Sequence, residues 1–121
     1  MKEYKFSFNF LPVSVNSSYR SFKSRVYKSQ KLKDFKKKMD DMFDTFENVE
    51  KLEGKLSIDI VFEMKGSRKR DIDNMMKSLL DSLEGKVFEN DNQIYEMNVK
   101  KFENCNEDKT IISIRQMIFE N

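Results

Sequence analysis

Residues 55–64, KLSIDIVFEM, place Leu56, Ile58, Ile60, Phe62 and Met64 in alternation with Ser57, Asp59, Val61 and Glu63. An extended strand gathers such a set on one face, because successive side chains of a strand point to opposite sides. A few residues later the period changes. Ile72, Met75, Met76, Leu79, Leu80 and Leu83 recur at spacings of a helical turn up to Gly85, a pattern that predicts an amphipathic helix stopped by a left-handed glycine. A strand with one buried face that feeds directly into such a helix points to a sheet covered by helices.

The flanking segments extend this pattern. MKEYKFSFNF alternates Tyr4, Phe6, Phe8 and Phe10 with polar residues and predicts a first strand. Pro12 and the polar cluster of Ser14, Asn16, Ser17 and Ser18 mark LPVSVNSSYR as a loop. The spacing of Leu32, Phe35, Met39, Met42, Phe43, Phe46 and Val49 predicts a helix starting near Ser29, which suits an N-cap. Residues 86–92, KVFENDN, read as a turn-rich connection. QIYEMNVKKF and TIISIRQMIF read as two closing strands joined by a hairpin turn at NCNEDK. The order β-α-β-α-β-β predicts one α/β (α+β mixed) domain over residues 1–121, a mixed sheet with helices packed on it.

Composition narrows the chemistry. Histidine is absent and Cys105 is the single cysteine, which excludes an internal disulfide, a cysteine-based zinc cage and every mechanism that relies on an imidazole. An enzyme with this composition works through carboxylates and lysines. Charged residues make up 36% of the chain and hydrophobic residues 38%, a balance that fits a globular domain. No run approaches the roughly 20 apolar residues of a membrane span. The first segment also lacks a signal peptide's apolar block, so a cytoplasmic protein without membrane attachment is expected.

The formal charge of +2 says little about partners, but its distribution says more. Arg20, Lys23, Arg25, Lys28, Lys31, Lys33, Lys36, Lys37 and Lys38 meet a single acid, Asp34, between Arg20 and Lys38. Two readings stay open: a surface that follows a phosphate backbone, or a solvated loop and helix face. Tyr19, Phe22 and Tyr27 are interleaved with these cations and suit either base stacking or packing on the core.

Asp71 and Asp73 stand where the loop meets the second helix, directly after Arg68, Lys69 and Arg70. A hard divalent ion such as Mg²⁺ relieves the repulsion of two close carboxylates, while first-turn acids also stabilise a helix's positive end without any ligand. Lys77 and Asp81 follow at one-turn intervals on the same face, either as a surface ladder or, for Lys77, as a group that steadies charge on a phosphate. Asp91 precedes the strand that begins near Gln93. If that strand pairs beside residues 55–64, its start can meet the loop carrying Asp71 and Asp73. An ordinary turn residue is the alternative.

The stretch RDIDNMMKSLLDSLEGKVFENDNQIYEMNVKK resembles the signature of RusA-type Holliday junction resolvases, through Asp71, Asp73 and Asn74, then Lys77 and Asp81, then Asp91, Gln93 and Ile94. LPVSVNSSYR is similar to the family's N-terminal segment through Leu11, Pro12, Ser14, Asn16, Tyr19 and Arg20. The resemblance implies a RusA-like fold and a homodimeric, Mg²⁺-dependent endonuclease, with Mn²⁺ as a substitute and no nucleotide cofactor. Its substrate would be branched DNA, a four-way junction cut by paired nicks in recombination and repair. It implies Asp71, Asp73 and Asp91 as metal ligands, Lys77 as a catalytic partner, and Arg20, Lys23, Arg25, Lys28, Arg68, Lys69, Arg70 and Asn74 as DNA-binding residues. Asp81 is expected to be structural. The family often has two consecutive aspartates where this chain has Asn90 and Asp91, a departure expected to alter charge and metal affinity. Nucleases of flaps or forks, and a junction binder that does not cut, are the competing readings.

Overall fold

A computed structural model describes residues 2–14, 22–67 and 70–118, with side chains omitted for residues 22–29. The elements are β1 (Glu3–Phe8), α1 (Phe22–Asp44), β2 (Leu56–Lys65), α2 (Ile72–Leu83), a 3-10 turn at Asp91–Gln93, β3 (Ile94–Cys105) and β4 (Lys109–Gln116). They follow the expected order and form an α+β domain on one mixed sheet. The sheet order is β1-β4-β2-β3.

The alternation in β2 buries Leu56, Ile58, Ile60, Phe62 and Met64. These side chains share one core with Phe6 and Phe8 of β1, Phe35, Met39 and Phe43 of α1, Met75, Leu79 and Leu83 of α2, and Ile112 and Ile114 of β4. The opposite face of β2 is polar: Asp59 accepts hydrogen bonds from Asn98 and Arg115, and Ser57 donates to Glu96.

Two local expectations are corrected. α1 begins at Phe22, so Ser29 lies inside the helix and does not cap it. The capping residue types also occur within helices, and Ser29 alone carried that boundary. The helix ends at Asp44, short of Phe46 and Val49: the amides of Thr45 and Phe46 bond three residues back, to the carbonyls of Met42 and Phe43, and Asn48 beyond them adopts a left-handed φ of 63°. Phe46 nevertheless folds back, its ring stacked 5.5 Å from Phe6.

The last two strands do not form a hairpin pair. β4 pairs antiparallel with both β1 and β2, whereas β3 pairs in parallel with the other edge of β2. The NCNEDK turn therefore crosses the end of β2, where the Lys65 amide donates to Asp108 at 2.9 Å. In the 86–92 connection, Val87 and Phe88 are wholly buried and anchor the segment to the core.

Candidate active site: an acidic groove between α2 and β3

The parallel pairing of β3 leaves it as the outer strand of the sheet, and α2 runs back alongside it. Between them lies a groove of about 880 Å³ lined by Asp71, Asp73, Lys77, Asp81, Asp91 and Lys101, with Ile72, Met76, Leu80, Met97 and Val99 between the charges. The apolar stripe of α2 faces the core, which turns these acids and Lys77 outward. Asp71, Asp73, Lys77, Asp81 and Asp91 are all exposed to solvent.

Asp71 occupies the N-cap position of α2, with extended backbone angles, yet its side chain makes no capping hydrogen bond. Capping does not account for its carboxylate. Asn74 reaches back toward it, with Nδ2 3.4 Å from Asp71 Oδ2, while Asp73 Oδ1 accepts the Asn74 amide at 3.0 Å. Among the described residues, no ion pair joins Lys77 to Asp73 or Asp81. The surface ladder is absent from this geometry.

Asp91 is held at the opposite end of the groove. Its amide donates to Glu84 Oε1 at 2.8 Å, just past the end of α2, and Ile94 pairs with Leu56 at the start of β2. The loop carrying Asp71 instead follows the end of β2, next to Lys101. Ile94 and Lys101 are roughly 20 Å apart along the strand. The expectation that the start of β3 meets the Asp71–Asp73 loop is thus overturned, because the parallel register puts that start at the far end of β2. All of these acids line one groove, but among the described residues no cluster of acids or thiols is close enough to form a cation cage.

The donor chemistry still suits a hard cation. Every candidate ligand in the groove offers carboxylate oxygen, and Mg²⁺ commonly takes one or two carboxylates with waters and phosphate oxygens. Asp71 and Asp73 provide such a pair at one end.

The turn that carries Asp91 is organised by two side chains. Asn90 Oδ1 accepts the Asn92 amide at 2.9 Å, and Gln93 Oε1 accepts the amides of Glu89 and Asn90. Gln93 Nε2 donates to the carbonyls of Leu52 and Gly54, both at 3.0 Å. Asn90 therefore works as a cap, a role that the comparison with consecutive aspartates did not suggest.

Of the expected DNA-binding residues, Arg20, Arg68 and Lys69 lie outside the described residues, as does Tyr19. The backbone of Lys23, Arg25 and Lys28 belongs to α1, but their side chains lie outside the description, as do those of Phe22 and Tyr27. Arg70 is half-buried, and its Nη1 donates to the Pro12 carbonyl at 3.1 Å. Ser78 Oγ donates to the Val13 carbonyl at 2.6 Å, tying the same segment to α2.

The Endodeoxyribonuclease RusA family model matches residues 10–115, a span that includes the whole groove. The chain belongs to the RusA family. Within that family, it is 50% identical over 62 residues to the crossover junction endodeoxyribonuclease RusA of Aquifex aeolicus (strain VF5), a match covering 50% of this chain and 48% of the relative. This chain thus spans about half the length of that relative. It is 30% identical over 96 residues to the crossover junction endodeoxyribonuclease RusA of Enterobacteria phage HK97, covering 79% of each. No helix among the described residues is long and apolar enough to cross a membrane.

Lys101 and Glu84 were not singled out by sequence patterning. Lys101 looks like one more cation on an alternating strand, and Glu84 like a helix-end acid. The partner of Lys101 is distant in sequence and that of Glu84 lies across an irregular turn, so neither strand nor helix spacing carries a signal for them.

Proposed function

We propose that this RusA-family protein is a crossover junction endodeoxyribonuclease that resolves four-way DNA by paired symmetric nicks, in recombination and repair. The observation that carries the reading is the exposed Asp71–Asp73 pair on one groove wall with Lys77 a turn away, inside the region matched by the family. The names of the two relatives support the substrate class. A phage relative also supports a prophage origin. The site of action is the cytoplasm.

Mg²⁺, for which Mn²⁺ substitutes, supplies an acidified water and neutralises phosphate charge when bound. Asp71 and Asp73 hold it, and Asn74 restrains Asp71. Lys77, free of an ion pair with its acidic neighbours, stabilises charge on the phosphate oxygens. Asp91 belongs to the same reading as the third acid of the family pattern, although one chain keeps it at the other end of the groove. Arg20, Lys23, Arg25, Lys28, Arg68, Lys69 and Arg70 supply affinity for the DNA backbone. A homodimer suits the substrate, since a junction offers two equivalent strands and twofold symmetry presents one groove to each.

Cleavage of end-labelled four-way junction, fork and linear duplex tests this reading, using wild type and Asp73→Asn with Mg²⁺ and with chelator. Symmetric nicks confined to the junction, dependent on Mg²⁺ and lost in the variant, are the expected result. Preferential cutting of forks would reassign the substrate, and tight binding without any cut would make the protein a junction binder.

A further inference from the structure

The loop between β2 and α2 is tied to β3 on both sides of its span. The Asn104 amide donates to the Gly66 carbonyl at 2.9 Å, and Lys101 Nζ donates to the Arg70 carbonyl, also at 2.9 Å. Ser67 Oγ adds a bond to Glu103 Oε2 at 3.1 Å. The Arg70 carbonyl belongs to the same planar peptide unit as the Asp71 amide, so a donor fixed on that oxygen restricts the rotation that would re-aim Asp71. Lys101 is half-buried on the groove side of β3, opposite Phe62 in the register. Its ammonium thereby reaches a main-chain oxygen at the groove's edge.

We infer that Lys101 is a positioning residue: it locks the Arg70–Asp71 peptide and so holds the Asp71 carboxylate facing the groove. Within its own helix the Asp71 carboxylate lacks the capping bond that usually immobilises an N-cap acid and meets Asn74 Nδ2 at 3.4 Å, so the grip on its main chain adds a restraint from outside the helix. The inference rests on the nuclease reading for its consequence in cleavage. Its structural core, the grip on one peptide, does not.

The test uses the full chain as wild type, Lys101→Met and Lys101→Arg. In Lys101→Met, which keeps the apolar stem and removes the donor, the Asp71 amide resonance in the metal-free protein is expected to move. Mn²⁺ affinity of the DNA-free protein is expected to fall about tenfold, as for loss of a residue that orients a ligand. Half-maximal Mg²⁺ for junction cleavage rises in step, while junction binding without catalytic metal is unchanged. Lys101→Arg restores metal affinity.

An unmoved Asp71 resonance with unaltered Mn²⁺ affinity would overturn the inference. So would weakened junction binding with unchanged metal dependence, which would make Lys101 a phosphate contact. Should Lys101→Met not fold, Lys101→Gln replaces it under the same criteria. If wild type neither binds Mn²⁺ nor cuts, the nuclease reading fails instead, and the Asp71 resonance still reports on the Lys101 grip.

Discussion

The Gln93 carboxamide oxygen accepts the Asn90 amide at 3.1 Å while the Asn90 side chain caps the same turn, a reciprocal clasp that carries Asp91 between its two members. Asn90→Ala removes the cap and is expected to cost about 0.5–2 kcal/mol. Asn90→Asp keeps an acceptor oxygen at the same place, so stability is expected to stay near wild type, while the added charge beside Asp91 is expected to shift the Mg²⁺ dependence of cleavage without abolishing it. Chemical denaturation and junction cleavage of the two variants check this.

Gln93 uses both ends of its amide, against the backbone of the turn and against Leu52 and Gly54. Gln93→Leu removes these four bonds; water replaces the exposed ones, while the one to the Leu52 carbonyl is part-buried. An expected loss of about 1–3 kcal/mol follows from the unmet hydrogen bonds, together with reduced cleavage because Asp91 is no longer held. Thermal unfolding and single-turnover cleavage measure the two effects separately.

On the proposed function, Asp73→Asn removes the charge of a metal-holding carboxylate with little change of shape. Cleavage is expected to fall more than about a hundredfold, beyond the effect of losing an outer-shell partner, with junction binding retained. Asp81→Asn, on the same groove wall, is expected to cut at close to the wild-type rate. A variant pair that lost equal activity would reassign Asp81 to the chemistry.

On the far face of the sheet, the hydrogen bond from Asn98 and then the Arg115 guanidinium hold the Asp59 carboxyl below the usual carboxylate range. A lowered folded-state pKa means that the stability from this group is present above its unfolded value and is lost as pH falls through the folded one. Asp59→Asn is therefore expected to destabilise the protein at ~pH 7 and to have a much smaller effect at ~pH 2. Urea unfolding of both proteins at the two pH values gives the comparison. Asp59 is partly exposed, so the difference should be modest.

Several features were legible before any coordinates. The alternation of β2 and the helical period of α2 were readable because burial imposes a repeat on neighbouring residues. Gly85 was readable too: its φ of 81° serves the turn directly after α2, where Glu84 has already left the helix with a ψ of 133° and the Lys86 amide bonds the Leu83 carbonyl. Asp71 and Asp73 could be placed at a helix start, since that position depends on a few adjacent residues. Asn90 was harder, because its role as a cap depends on where Gln93 points.

The sequence by itself determined the kinds and order of the elements, the buried faces of β1, β2 and α2, and the acids and lysines on the solvent side of α2, all consequences of local periodicity. Tertiary structure alone decided that β4 inserts between β1 and β2 and that β3 takes the outer edge in parallel. It thereby set Asp91 at one end of the groove and Asp71 at the other, and brought Lys101 onto the Arg70 carbonyl. Strand neighbours are chosen through backbone hydrogen bonds between distant segments. Those groups are nearly the same at every residue, so an alternating pattern says which face is buried but not which strand lies alongside.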